Sequence, residues 1–94
     1  MLIPEGDSYQ EIYDNFEWDI PEYYNIAGDV CDRHAEDSTK IALVHEDSNR
    51  VVTRYSFQEV KGYANQLANG LTELGLAKGD VVSIFLAQAP EAAI

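Results

Sequence analysis

The clearest periodicity in the chain runs from Ser56 to Gly75. Val60, Tyr63, Ala64, Leu67, Ala68, Leu71 and Leu74 recur at helical spacing, which predicts an amphipathic helix of about five turns. Ser56-Phe57-Gln58-Glu59 opens it in the S-x-x-E form, where the serine and glutamate side chains each satisfy a free backbone N–H. Gly75 stands where a glycine ends a helix, while Gly62 and Gly70 within the pattern each cost up to about 1 kcal/mol relative to alanine. Upstream, Ile41–Glu46 and Val51–Tyr55 are short apolar runs separated by the polar Asp47-Ser48-Asn49-Arg50, a β-hairpin pattern. Downstream, Val81–Leu86 is apolar throughout except for Ser83. Continuous runs of that kind mark a strand buried on both faces of a parallel sheet.

Two further helices follow from spacing. Asn25 is a good N-cap, and Ile26, Ala27, Val30, Cys31, His34 and Ala35 form a broad apolar stripe opposite Asp29, Asp32, Arg33 and Glu36. A helix stopping near Asp37-Ser38-Thr39 is expected. Tyr9, Ile12, Tyr13 and Phe16 suggest a shorter helix over about Ser8–Phe16. Pro90 suits the first position of another helix through Glu91-Ala92-Ala93-Ile94. The expected order is helix, β-hairpin, long helix, buried strand and the start of a further helix, an α/β class built on a β–α–β unit. One helical turn is not stable alone, so the chain is expected to be the amino-terminal portion of a longer protein.

Length and charge narrow the picture. Ninety-four residues allow one small domain, and an apolar fraction of 46% excludes a disordered tail. Seventeen acidic residues against six basic ones give a net charge of −11, which argues against nucleic acid and anionic membranes as partners. Residues 1–37 hold eleven of those acids and only Arg33 as a base. The division expected is an acidic, aromatic-rich leader arm over 1–24 and a domain beginning at 25. The leader reads as a solvated arm, with docking to a basic partner as the sharper alternative. The opening Met-Leu-Ile-Pro-Glu has neither part of a secretory signal, so a cytoplasmic location is the expectation.

Candidate chemistry fails at each trial. There is no phosphate-binding loop and no G-x-G-x-x-G pattern. Gly75, Lys78 and Gly79 read as a helix end and turn. His34 lies on an apolar stripe and reads as a core histidine. His45, beside the hairpin turn, reads as exposed. Cys31, the single cysteine, reads as a small core residue. Ser56 is used as a cap, and Ser83 lacks a nucleophile-elbow setting. Acyl carrier proteins need a modified serine, typically in Asp-Ser-Leu, whereas the Asp-Ser pairs here continue with Tyr9, Thr39 and Asn49. No catalytic, cofactor-binding or metal-ligating residue is assigned.

Several stretches together resemble the opening of AMP-forming acyl-CoA and acetyl-CoA synthetases. They are Tyr24-Asn25-Ile26-Ala27, Asp32-Arg33-His34-Ala35, Ile41-Ala42-Leu43, Arg54-Tyr55-Ser56-Phe57-Gln58-Glu59-Val60, Ala64–Leu71, Leu74-Gly75-Leu76 and Lys78-Gly79-Asp80-Val81-Val82. Ala87-Gln88-Ala89-Pro90-Glu91 is similar to a further family segment, with Ala87 in place of a proline. The resemblance covers about residues 23–94. It implies the start of the large adenylate-forming domain, in an enzyme joining a carboxylic acid to CoA through an acyl-adenylate. It also implies ATP, Mg²⁺ and CoA for the whole enzyme, with the remainder of the synthetase as partner. The family's phosphate loop and catalytic lysine lie downstream, so no working residue carries over. A small or medium acyl substrate is expected from Asp32-Arg33-His34 and Pro90–Ile94. The alternatives are a non-enzymatic acidic module that self-associates, or a relative adenylating an amino or aryl acid.

Overall fold

The structure is a computed structural model and describes residues 3–94. Its regular elements are α1 (Tyr9–Asn15), α2 (Ile26–Val30), β1 (Ile41–Glu46), β2 (Val52–Ser56) and α3 (Phe57–Glu73). Two 3₁₀ turns accompany them, at Asp32–His34 and Pro90–Ala92. The mixed α/β class agrees with the sequence pattern.

Local chemistry explains most element boundaries. The Ser8 hydroxyl accepts from the Glu11 backbone N–H at 3.2 Å and starts α1. At α3 the capping box is complete. Ser56 Oγ accepts from the Glu59 N–H at 3.2 Å, and Glu59 Oε2 accepts from the Ser56 N–H at 2.8 Å. The helix ends at Gly75, whose φ of 93° is in the left-handed region. There the Gly75 N–H reaches the Thr72 carbonyl at 2.9 Å and the Leu76 N–H reaches Leu71 at 3.1 Å, a Schellman closure.

The hairpin forms with β1 and β2 antiparallel, Val44 opposite Arg54 and Glu46 opposite Val52. Its register shifts between Ile41 and Leu43, leaving Ala42 as the extra residue of a bulge. Asp47 closes the turn, its Oδ1 accepting from the N–H groups of Asn49 at 2.8 Å and Val51 at 2.9 Å.

Three expectations need correction. The helix predicted from Asn25 towards Asp37 is broken at Cys31, where φ is −126° and ψ −60°. Beyond it the His34 and Ala35 N–H groups bond three residues back, to Cys31 and Asp32. Gly28, Asp29, Val30, Cys31 and Asp32 are all poor helix formers, and the tighter turn carries Ala35 to 7% exposure. The second correction concerns Val81–Leu86, predicted as a buried strand of a β–α–β unit. Among the described residues it has no strand partner, and Ile84 is 74% exposed. A strand exists only through its neighbour's hydrogen bonds, and β1 and β2 pair only with each other among the described residues. The helix expected at Pro90 is a single 3₁₀ turn over Pro90–Ala92.

The interior is correspondingly thin. Ala35 and Ser56 are the buried residues among those described, and Tyr9, Trp18, Leu74, Ile84 and Phe85 are all exposed. The accessible surface is 8404 Å², against about 5,400 Å² for a compact protein of 10.5 kDa. The radius of gyration is 17.6 Å, where about 12 Å is usual for this length. Apolar surface that a domain of this size would bury faces outward.

Candidate functional site

Two places bring side chains from separate elements together. The first is polar and lies where the Asp32–His34 turn meets the start of α3. The His34 ring lies 5.0 Å from the Phe57 ring, and its Nδ1 lies 2.8 Å from Lys40 Nζ. Arg33 Nε approaches the other ring nitrogen at 3.4 Å. A neutral imidazole has one accepting nitrogen, and the shorter Lys40 contact places it at Nδ1. Lys40 Nζ also sits 5.7 Å from the Phe57 ring centre, within cation–π range. Desolvation first, then the positive charges of Lys40 and Arg33, hold His34 below its ordinary value of 6.5.

Cys31 lies on the same junction. Its Sγ is 3.7 Å from the Phe57 carbonyl, and burial pushes its thiol above 9.0. A thiol held protonated is a poor nucleophile and a poor metal ligand. Lys61 on α3 faces Asp32 at 3.9 Å. Asp29 accepts from the Tyr24 hydroxyl at 2.8 Å and pairs with Arg33 at 2.8 Å. The Tyr24 hydrogen bond, helped by Arg33, lowers the Asp29 carboxyl, and the same bond raises Tyr24. Asp37 is lowered by hydrogen bonds from the Thr39 hydroxyl and N–H. These contacts fasten the 29–40 loop to its own neighbours and to α3.

The second place is apolar. Tyr55 of β2, Tyr63 and Leu67 of α3, and Leu86, Pro90, Glu91 and Ile94 line an open groove of about 490 Å³. Tyr63 and Leu67 are four residues apart and so share a helix face. Glu91 is its one charged group.

Of the residues weighed from sequence, Cys31 and His34 meet at Phe57, next to Ser56, and Ser83 and His45 lie elsewhere. Ser56 is committed to its cap, and Ser83 is exposed and makes no hydrogen bond among the described residues. His34 is half-buried against Phe57. His45, expected to be exposed, is half-buried on β1, opposite Thr53. Among the described residues no three His, Cys, Asp or Glu side chains converge as metal ligands. No chemical step is derived through ATP, Mg²⁺ or CoA, which the resemblance implies for the whole enzyme. The contact of Lys40 with His34 depends on the turn between them, where the Lys40 N–H bonds the Asp37 carbonyl at 3.2 Å, and residue spacing alone does not reveal it.

Comparison with known proteins places these features in a family. A family profile described as AMP-binding enzyme matches residues 31–94. The acetyl-coenzyme A synthetase of Laribacter hongkongensis is 34% identical over 84% of this chain and 12% of its own length. The Escherichia coli K12 acetyl-coenzyme A synthetase is 36% identical over 74% of the chain and 11% of its own length. A mitochondrial acyl-coenzyme A synthetase of Rattus norvegicus is 36% identical over 95% of the chain and 17% of its own length. The chain thus spans between a tenth and a fifth of these relatives. No solved structure matches. The matched stretch, more than half of the residues, includes β1, β2, the α3 capping box and the Gly75 stop, and the chain belongs to the AMP-binding enzyme family.

Proposed function

We propose that this chain is the N-terminal framework part of an AMP-forming acyl-CoA synthetase, an acid–thiol ligase. Such an enzyme joins a carboxylic acid to AMP from ATP, releases pyrophosphate and passes the acyl group to CoA. Residues 25–94 would open its AMP-binding domain, with the acidic arm ahead of them. The observation that carries the reading is the family match over residues 31–94, which falls on structural devices: the Ser56–Glu59 box, the Gly75 stop and the Gly79 turn. These position an apolar layer and supply no reacting group, so the role proposed for the chain itself is architectural. A small to medium acyl substrate is supported by the names of the relatives, acetyl-coenzyme A synthetases among them.

The purified 94-residue chain is expected to give no ATP–pyrophosphate exchange with acetate, butyrate or octanoate. Exchange above the rate of a heat-denatured control overturns the architectural reading. One observation favours a second reading, that the chain by itself is a self-associating module. It leaves roughly 3,000 Å² more surface exposed than a compact protein of its mass.

A further inference from the structure

We infer that the neutral His34 ring is an acid-sensitive latch, which holds the turn of residues 31–40 on the start of α3 and releases it when the ring takes up a proton. Every group involved lies between Tyr24 and Lys61, so the inference is independent of the ligase and self-association readings.

Geometry supplies the first argument. The turn grips α3 at one residue, Phe57. Its N–H donates to the Lys40 carbonyl at 3.0 Å, and its own carbonyl lies 3.7 Å from Cys31 Sγ. Its ring packs on the His34 ring. Lys40 Nζ closes the contact, 2.8 Å from His34 Nδ1 and 5.7 Å from the centre of the Phe57 ring. The buried residues among those described, Ala35 and Ser56, are the sequence neighbours of the two rings. The junction is therefore the best-packed point in the described chain.

Charge supplies the second argument. A neutral imidazole has one nitrogen free to accept a hydrogen bond, and an imidazolium has none. Protonation puts an N–H on Nδ1, directly against the Lys40 ammonium, while Arg33 Nε stands 3.4 Å from the other ring nitrogen. A hydrogen bond becomes a contact between like charges.

The acids that could offset this are engaged elsewhere. Asp29, whose charge favours the cation, lies 2.8 Å from Arg33 and accepts the Tyr24 hydroxyl at 2.8 Å. Asp32 faces Lys61 of α3, Asp37 is bonded by Thr39, and Glu59 turns back onto Ser56. Cys31 is a protonated thiol, and the Phe57 ring already faces the Lys40 cation. Among the described residues no carboxylate is within ion-pair distance of the His34 ring. In the open form the ring titrates near its ordinary 6.5, and in the closed form it titrates lower. The open form therefore binds more protons, and its population grows as pH falls through 6.5.

The test is residue-resolved amide exchange of the 94-residue chain by NMR, at constant ionic strength and corrected for the intrinsic pH dependence. It runs from about pH 7.5 to about pH 5, where exposed carboxylates stay largely charged. The Phe57 and Ala35 amides, which bond Lys40 and Asp32, should open at least about threefold more at the acid end. Amides of the hairpin and of α3 beyond Lys61 should keep their protection. His34→Phe retains a ring against Phe57 and cannot titrate, so it should abolish the pH dependence. Lys40→Glu should invert it, because a carboxylate opposite Nδ1 binds the imidazolium and tightens the junction in acid. Unchanged circular dichroism at neutral pH verifies that both variants fold. Equal acceleration throughout the hairpin and α3 is global unfolding and overturns the latch. So does a pH dependence that survives His34→Phe or keeps its sign in Lys40→Glu.

Discussion

Replacing Ser56 with alanine tests how α3 is held. Ser56 is 8% exposed. Its hydroxyl accepts from the Glu59 N–H at 3.2 Å and reaches Glu59 Oε2 at 3.1 Å, while that carboxylate takes the Ser56 N–H at 2.8 Å. Ser56→Ala leaves the Glu59 N–H without a partner and removes the anchor that orients the glutamate. Loss of an N-cap hydroxyl costs about 1 kcal/mol. A cost of that size is about a fivefold change in an opening equilibrium. The helix has 17 residues and no fully buried side chain, so the loss should appear as fraying of its first turn. Amide exchange of residues 58–61 is expected to speed about fivefold, with residues near Thr72 unchanged and a small fall in ellipticity at 222 nm. Glu59→Gln, which keeps an accepting oxygen, should lose less. Uniform acceleration along α3, or none, would refute the capping argument.

Two further outcomes follow from particular side chains. Gly75→Ala puts a Cβ on a residue at φ 93°, which costs about 1 kcal/mol and should lower the midpoint of the helical melt; an unchanged melt contradicts the Schellman stop. His34 should titrate below its ordinary 6.5 by NMR, because desolvation and Lys40 disfavour its cation. The unfolded chain therefore takes up that proton first, and stability is lost as pH falls through 6.5 towards the lower folded value. Lys40→Met should raise the His34 midpoint, and an unmoved midpoint would contradict the contact.

Local instructions were readable in the sequence, and instructions that depend on distant partners were not. The α3 box, the Gly75 stop and the Asp47 turn each act within about four residues, and each formed where the residues placed it. Of the stripe expected from Ile26 to Ala35, only Ala35 is buried, while Ile26 and Val30 are exposed. Its reading as one helix failed because periodicity records which face is apolar and not whether weak helix formers can sustain the turn. Val81–Leu86 misled for a different reason. Its composition describes a strand buried on both sides, but burial is supplied by neighbours, and none of the described strands pairs with it. Among the weighed residues, Ser56, Cys31 and His34 are occupied by caps and packing. The His34–Lys40 contact needed the turn at Asp37, which spacing alone does not reveal.

The central claim is that these residues are framework for an AMP-forming synthetase, and transplantation tests it most directly. Residues 31–94 would replace the aligned segment of the Escherichia coli K12 acetyl-coenzyme A synthetase, to which the chain is 36% identical. Acetate-dependent ATP–pyrophosphate exchange would then be measured. If the segment only positions the rest, kcat should stay within about tenfold of the parent, a barrier change of about 1.4 kcal/mol. A chimera that folds, binds ATP and has lost exchange by about a thousandfold would show that reacting groups were replaced, and would contradict the account.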